Sequence, residues 1–517
     1  MLKGKKISNT TQTAINMIAS MITYLVSMLV SFFLSPYIVK NIGVDANGFI
    51  GLANNFTNYA SLITIALNTL ATRFVAVNIY KGDNKTANKY YSSVFYANTF
   101  IGVFFAVASV IIIAFLDRFL DVSKDILPDV RILFSLVFLN TIIGAIGTVF
   151  NIATFVRNKL YLNSIVNIIS NLVRAFLLFF LFYFLPPRLF FVGLTAFIAV
   201  IISLSANIVF SKKLLPEMHI RRSDFEFRKI KDLMTEGVWA SVNRLGQILM
   251  NDLDLLISNM FINSIAMGVL SLSKTIPNAI SGIVISVVAI FMPNYTELYA
   301  KERHEELVKY IKQTMKIMGI IVNIPIIVLI VCGERFFKLW QPTQNAHDLY
   351  ILSILAIACL IISGGINCIY NVFTLVNKLR LNAIVVIISG ALSTVIVFIL
   401  LKTTDLGIFA IAGVSTAVSI VRNLAFTAPY GAKCLGLKWY SFYPEMAKPA
   451  VFVGIASALG YFVSKLFVSG GWIELIILTA IVVTASLLIG FLIILNKSER
   501  ELVIGILKSK LAKKGEV

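Results

Sequence analysis

The stretch Glu236–Ser258, EGVWASVNRLGQILMNDLDLLIS, lies between two long apolar regions and decides how the chain is read. At 1.5 Å per residue it is long enough to cross a bilayer, which takes roughly 20 residues. It nevertheless carries Glu236, Asn243, Arg244, Gln247, Asn251, Asp252 and Asp254. At about 100° per residue, Glu236, Asn243, Arg244, Gln247, Asn251, Asp254 and Ser258 share one arc, and Trp239, Ile248, Leu249, Leu253, Leu256 and Ile257 take most of the rest. Such a helix cannot turn its polar arc to lipid. Either Arg244 and Asp254 form a structural ion pair inside a bundle, or the helix lines a wet path, the usual meaning of ionisable residues in a span.

Working outward, the chain has 517 residues, 58% of them hydrophobic and 14% charged, with mean hydropathy +0.88. That composition describes a polytopic membrane protein rather than a soluble domain. The net charge of +20 comes from short basic clusters between apolar runs, not from one basic surface, so nucleic acid is excluded as a partner and membrane lipids are expected. Lys3, Lys5 and Lys6 precede an apolar region longer than a signal-peptide core, read as a retained first span. Cys332, Cys359, Cys368 and Cys434 form no CxxC pair, and His219, His304 and His347 fall in loops. No metal site, cofactor or intramembrane histidine relay is expected.

Hydropathy places spans near 12–36, 48–72, 92–116, 131–155, 161–185, 189–210, 233–258, 265–292, 313–333, 349–374, 381–401, 407–429, 447–468 and 473–496. The fold class is all-α with fourteen transmembrane helices. Of the connections, only 211–232 is long enough for an amphipathic helix, through Phe225, Phe227, Ile230 and Leu233. With the N-terminus inside, the outer side holds only Lys40, Arg118, Lys124, Arg131, Arg188, Arg335, Lys338 and Lys402, and the remaining loop cations gather on the cytoplasmic side, including the basic tail. Both termini are thus expected in the cytoplasm.

A repeat sets the architecture. Asn151-Ile-Ala-Thr154-Phe-Val156-Arg-Asn158-Lys159-Leu160-Tyr-Leu162-Asn163 recurs as Asn371-Val-Phe-Thr374-Leu-Val376-Asn377-Lys378-Leu379-Arg-Leu381-Asn382, and the same offset sets Gly48 on Gly268. Two six-helix repeats in the same orientation follow: an N-lobe at 1–210, a cytoplasmic linker at 211–232, a C-lobe at 233–430, and at 431–517 two added helices with a basic tail.

Other spans carry polar stripes, namely Asn54, Asn58, Ser61, Asn68 and Thr72, then Asn163, Asn167, Asn171 and Arg174, then Ser271, Lys274, Asn278 and Ser281. Asn and Ser serve as interhelical glue in membrane bundles. The cations Arg174, Arg244, Lys274 and Arg422 ask for more, although Arg422 and Arg174 are also placed to snorkel. With Asn68, Asn243, Gln247 and Asn251 they suit an anionic head group rich in hydroxyls, because a guanidinium forks onto phosphate oxygens and amides match sugar hydroxyls. Asp252 and Asp254 are the charge-pair candidates. Asp117, Asp121, Asp125 and Asp129, four apart, suggest one acidic face of a short external helix, solvated or weakly cation-binding.

These features together resemble the polysaccharide flippases of the multidrug/oligosaccharidyl-lipid/polysaccharide exporter superfamily. The likeness rests on the fourteen spans, the doubled six-helix unit, Ile42-Gly43-x4-Gly48-Phe49, the polar seventh span ending in Asp-x-Asp-Leu-Leu-Ile-Ser, and Met-Pro293-Asn-Tyr. The resemblance implies two lobes around a cationic cavity in the bacterial cytoplasmic membrane. There a monomer moves an undecaprenyl-pyrophosphate-linked oligosaccharide outward by alternating access, with H+ or Na+ coupling through Asp252 and Asp254 left open. It implies Arg244 and Lys274 as pyrophosphate contacts. Lipid II flippases, with arginines in the first helix, and drug antiporters, with an acidic N-lobe helix, fit less well. The first span here has no charge, and spans one to six have no Asp or Glu except at their ends. An integral-membrane glycosyltransferase or polymerase would call for a larger external loop than any present.

Overall fold

In a computed structural model, residues 9–467, 470–497 and 499–501 are described, without the side chains of residues 9–11, 13, 14, 69 and 236. Lys3, Lys5 and Lys6, the Glu236 side chain and the basic tail beyond 501 lie outside the described residues. The described chain is helical with no strand. Among the described residues, thirteen helices are long and apolar enough to cross a membrane. We label the first six α1 (Asn9–Asn41), α2 (Val44–Tyr80), α3 (Asn84–Ala114), α4 (Leu127–Val156), α5 (Tyr161–Phe184) and α6 (Phe190–Leu214). The second series is α8 (Ser264–Ser273 continued by Thr275–Ala300), α9 (His304–Trp340), α10 (Ala346–Leu375), α11 (Leu379–Thr403), α12 (Ile408–Cys434), α13 (Tyr443–Ser464) and α14 (Trp472–Ile493). Between the series runs α7, Phe227–Gln247 continued through a π turn at Ile248–Asp252 into Asp254–Phe261. It is the expected seventh helix, but too polar to count among the thirteen.

Packing divides the chain into two compact units, Met1–Leu272 with Ala383–Ile408, and Ser273–Asn382 with Phe409–Val517. In the first, α7 is held from two sides by glycines that permit main-chain approach. A Cβ at Gly237 would lie 2.2 Å from the Ala66 carbonyl oxygen of α2, and one at Gly246 would lie 2.8 Å from the Ile387 nitrogen of α11. Ser241 Oγ donates to Leu62 O at 2.9 Å, and Thr394 Oγ1 to Leu249 O at 3.3 Å. These contacts carry α7 and α11 into the unit that contains α1–α6. In the second unit, α13 and α14 pack on α9 through Phe452, Val453, Leu475, Leu478 and Val482 against Ile327 and Cys332.

The duplication is visible in the backbone. Asn158 and Asn377 both take φ 53°, and Lys159 N–H reaches Thr154 O as Lys378 N–H reaches Phe373 O, at 2.7 and 2.9 Å. Each closes a helix with a left-handed residue, a conformation that Asn tolerates. Within the first unit, Gly48 meets its repeat mate, since a Cβ there would lie 2.8 Å from Gly268 N. Gly51 likewise faces Ser271, its mate at the same offset, with Ser271 Oγ 2.6 Å from such a Cβ.

Two expectations need correction. The acidic ladder is not one helical face: the helix Leu116–Phe119 stops where Leu120 turns extended, and the next begins at Leu127. Asp117 pairs with Arg131 at 2.8 Å, Asp121 accepts the Ser264 N–H at the start of α8, and Asp129 takes a forked bond from Arg188 and the Leu189 N–H. Three of the four carboxylates are therefore already used. In the linker, a 3-10 turn at Arg222–Asp224 precedes α7, so Phe227, Ile230 and Leu233 belong to the first turns of α7 and Phe225 lies outside them. The segment is tied to α3, where Ser93 Oγ accepts the Glu226 N–H and Ser92 Oγ donates to His219 O.

Candidate functional site

The site is built on α7. Its two packed faces, Gly237/Ser241 toward α2 and Gly246 toward α11, lie about 180° apart. On one side between them Val238 and Leu245 are exposed, an apolar strip suited to lipid. On the other are Asn243, Arg244, Gln247 and Asn251, of which Gln247 and Asn251 are exposed and Asn243 and Arg244 half-buried. These side chains form a ladder: Gln247 Nε2 donates to Asn243 Oδ1 at 3.3 Å, Arg244 Nη1 to Gln247 Oε1 at 3.3 Å, and Asn251 Nδ2 to Gln247 O at 3.4 Å. The ladder holds one polar, accessible edge in place.

The ion pair that the structure shows for Arg244 is with Asp252, Nη2 to Oδ2 at 3.2 Å, whereas regular spacing put Asp254 in the arc. The π turn explains the change. Eight regular steps leave Asp252 about 80° from Arg244, but a π turn absorbs one extra residue and sets it back by about 100°, to about 20°. The same shift takes Asp254 out of the Arg244 arc, and it is buried. Two residues not singled out from sequence lock this geometry, because Asn55 Nδ2 and Tyr59 Oη both donate to Asp252 O, at 2.7 and 2.6 Å. Their i,i+4 spacing on α2 was the available signal.

The polar edge continues onto α2. Ala66 meets Gly237, Leu62 meets Ser241 and Asn55 meets Asp252, so the two helices run antiparallel. On α2, Asn54, Asn58 and Ser61 lie about 70–130° back from the contact face, and Asn243 and Gln247 lie about 100–140° back on α7. For antiparallel helices, equal rotations of the same sense point to the same side. Asn54 is exposed, Asn58 and Ser61 are half-buried, and no described residue of another helix bonds their side chains. The site is therefore one accessible surface of amides, a hydroxyl and a guanidinium whose charge Asp252 offsets.

The remaining predicted residues lie elsewhere. Asn68 Oδ1 accepts from Asn98 Nδ2 at 2.9 Å and Thr148 Oγ1 at 3.3 Å, so it joins α2, α3 and α4 as glue. Arg174 lies on α5, apart from α7. Lys274 and Arg422 are in the second unit. Lys274 stands at the break between the two segments of α8. Arg422 precedes a second π turn, Asn423–Thr427, and donates to Tyr370 Oη at 3.1 Å, which donates in turn to Asn423 Oδ1.

The long apolar helices define a multi-pass membrane protein. The chain superposes on a multidrug-resistance transporter of the MATE family in its inward-facing conformation, with TM-score 0.66 and 12% identity over 82% of this chain and 98% of that one. It also superposes on the lipid II flippase MurJ in an inward closed conformation, with TM-score 0.64 and 12% identity over 92% and 98%. Residues 13–298, more than half of the chain, match the family described as polysaccharide biosynthesis protein, and the chain belongs to that family. A relative is EpsK of Bacillus subtilis (strain 168), described as an uncharacterized membrane protein and 29% identical over 95% of this chain and 97% of its own length.

Proposed function

We propose that the protein moves a lipid-linked oligosaccharide, carried on undecaprenyl pyrophosphate, from the cytoplasmic to the outer leaflet without changing it chemically. The observation that carries this reading is the accessible surface of Asn243, Arg244, Gln247 and Asn251 with Asn54, Asn58 and Ser61, on a helix whose opposite strip is apolar. A sugar head group offers hydroxyls to the amides and phosphate oxygens to the guanidinium. The prenyl chain stays in lipid. Transfer of the head group through hydrocarbon is too costly without such a surface. Alternating access of the duplicated lobes, 1–210 and 233–430, presents it to each leaflet in turn.

Asp252 and Asp254 are proposed as the coupling charges for H+ or Na+, and Lys274 and Arg422 as anion contacts of the second unit. The protein acts as a monomer in the bacterial cytoplasmic membrane with both termini inside. Membership in a polysaccharide biosynthesis family supports the sugar substrate. The test uses purified protein in liposomes loaded with a fluorescent undecaprenyl-pyrophosphate oligosaccharide. Inner-leaflet label should become accessible to an external reagent at unchanged mass. A changed mass identifies an enzyme, and unchanged accessibility overturns the reading.

A further inference from the structure

Among the described residues of the first unit, Arg174 has no neutralising partner. It stands 13 residues from Tyr161 and 10 from Phe184, about 20 Å and about 15 Å along α5 and so near mid-membrane, too far for its side chain to reach either interface. The exposed apolar residues of the helix, Ile165, Ile169, Leu172, Phe176, Phe180 and Tyr183, centre about 180° from it, so lipid lies behind and Arg174 faces inward.

The residues beside it are legible from the register. Ser20 meets Ser164 and Asn171 meets Ser27, so α1 runs parallel to α5 and brings Val30 to the level of Arg174. Ser170 meets Ser203 on antiparallel α6, which brings Ala199 to that level. Neither can bond a guanidinium. Among the described residues no carboxylate pairs with Arg174, its Nε is buried without a hydrogen-bond partner, and every acidic residue from 9 to 214 lies in a loop or at a helix end. Asn167, two turns below on the same inward side, is exposed, so that side is open to a guest. A partly buried guanidinium without a counter-charge is costly, and an oxyanion entering beside it recovers that cost. Arg244, by contrast, already has Asp252.

We propose that Arg174 is a phosphate-binding cation inside the N-terminal six-helix bundle, a subsite for the pyrophosphate of the lipid-linked substrate distinct from the α7 surface. The proposal rests on the flippase reading for the identity of the anion. Its test measures binding of inorganic pyrophosphate and of an undecaprenyl-pyrophosphate oligosaccharide to the purified full chain in detergent, with R174Q, R174K and R244Q compared. R174Q should weaken both ligands at least tenfold, R174K should keep most of the affinity because it keeps the charge, and the effect of R244Q should be the smaller for inorganic pyrophosphate. Unchanged affinity in R174Q overturns the subsite while leaving the flippase reading intact. Arg174-dependent binding of pyrophosphate with no binding of the lipid-linked sugar keeps the site and sinks that reading. Should R174Q fail to fold, as judged by gel filtration, R174K decides: affinity lost with the charge retained and the fold intact contradicts the proposal.

Discussion

Exchanging Arg244 and Asp252 separates structural from substrate-facing charge. The pair is 3.2 Å apart, with side chains 21% and 18% exposed. At that separation and an effective dielectric near 20, its direct attraction is about 5 kcal/mol, and desolvation and partial screening reduce the net to about 1–2 kcal/mol. R244A strands a half-buried carboxylate and should cost about 2–3 kcal/mol of stability. R244A/D252A should cost less than the sum of the single changes by the coupling of about 1–2 kcal/mol. R244D/D252R keeps the pair but moves the guanidinium eight residues, about 12 Å along the helix. Thermal unfolding in detergent should therefore show most of the stability restored, and the liposome assay should show transport still absent. The same exchange with Asp254 should restore neither. Recovery of transport by R244D/D252R would reduce Arg244 to a structural role, and a coupling below about 0.3 kcal/mol would dismiss the pair itself.

Two further outcomes test the packing beneath this surface. G237A sets a methyl group 2.2 Å from the Ala66 carbonyl oxygen, so α2 and α7 must part by about 1 Å and loosen the Ser241–Leu62 bond. Thermal unfolding should register a loss of about 2–3 kcal/mol, whereas G454A, with nothing within 4 Å, should be neutral or gain up to about 1 kcal/mol; equal effects would refute the close approach. In the second unit Glu499 is partly buried, which alone would raise its carboxyl, but Lys316 at 2.8 Å and the Asn496 N–H hold it below the usual carboxylate range. A lowered folded-state value stabilises above the unfolded pKa and loses that contribution as pH falls through the folded value. Unfolding midpoints should thus drop in acid below about pH 4.5 more steeply in the parent than in E499Q. Parallel profiles would contradict it.

Much of this was legible in the sequence because hydropathy and repeats are read directly from residue order. The thirteen apolar helices, the helical nature of the polar seventh segment and the matched turns at Asn158 and Asn377 all appear where patterning puts them. What the pattern hides is anything that changes helical phase. The π turn at Ile248–Asp252 replaces Asp254 by Asp252 in the Arg244 arc, and nothing in the local composition announces it. Nor does one polar stripe reveal which members face another helix. On α2, Asn54 and Asn58 remain accessible while Asn68 is consumed by Asn98 and Thr148. The acidic ladder misled because Leu120 interrupts a period that composition alone would continue.

The most direct test is aqueous access to the two exposed strips of α7. With Cys332, Cys359, Cys368 and Cys434 replaced, single cysteines at Gln247, Asn251, Val238 and Leu245 would be treated with a membrane-impermeant thiol reagent applied to each side of sealed vesicles. Q247C and N251C should label from at least one side and be protected by lipid-linked oligosaccharide, while V238C and L245C stay unlabelled. Labelling confined to V238C and L245C, or complete protection of Q247C and N251C from both sides, would contradict the account.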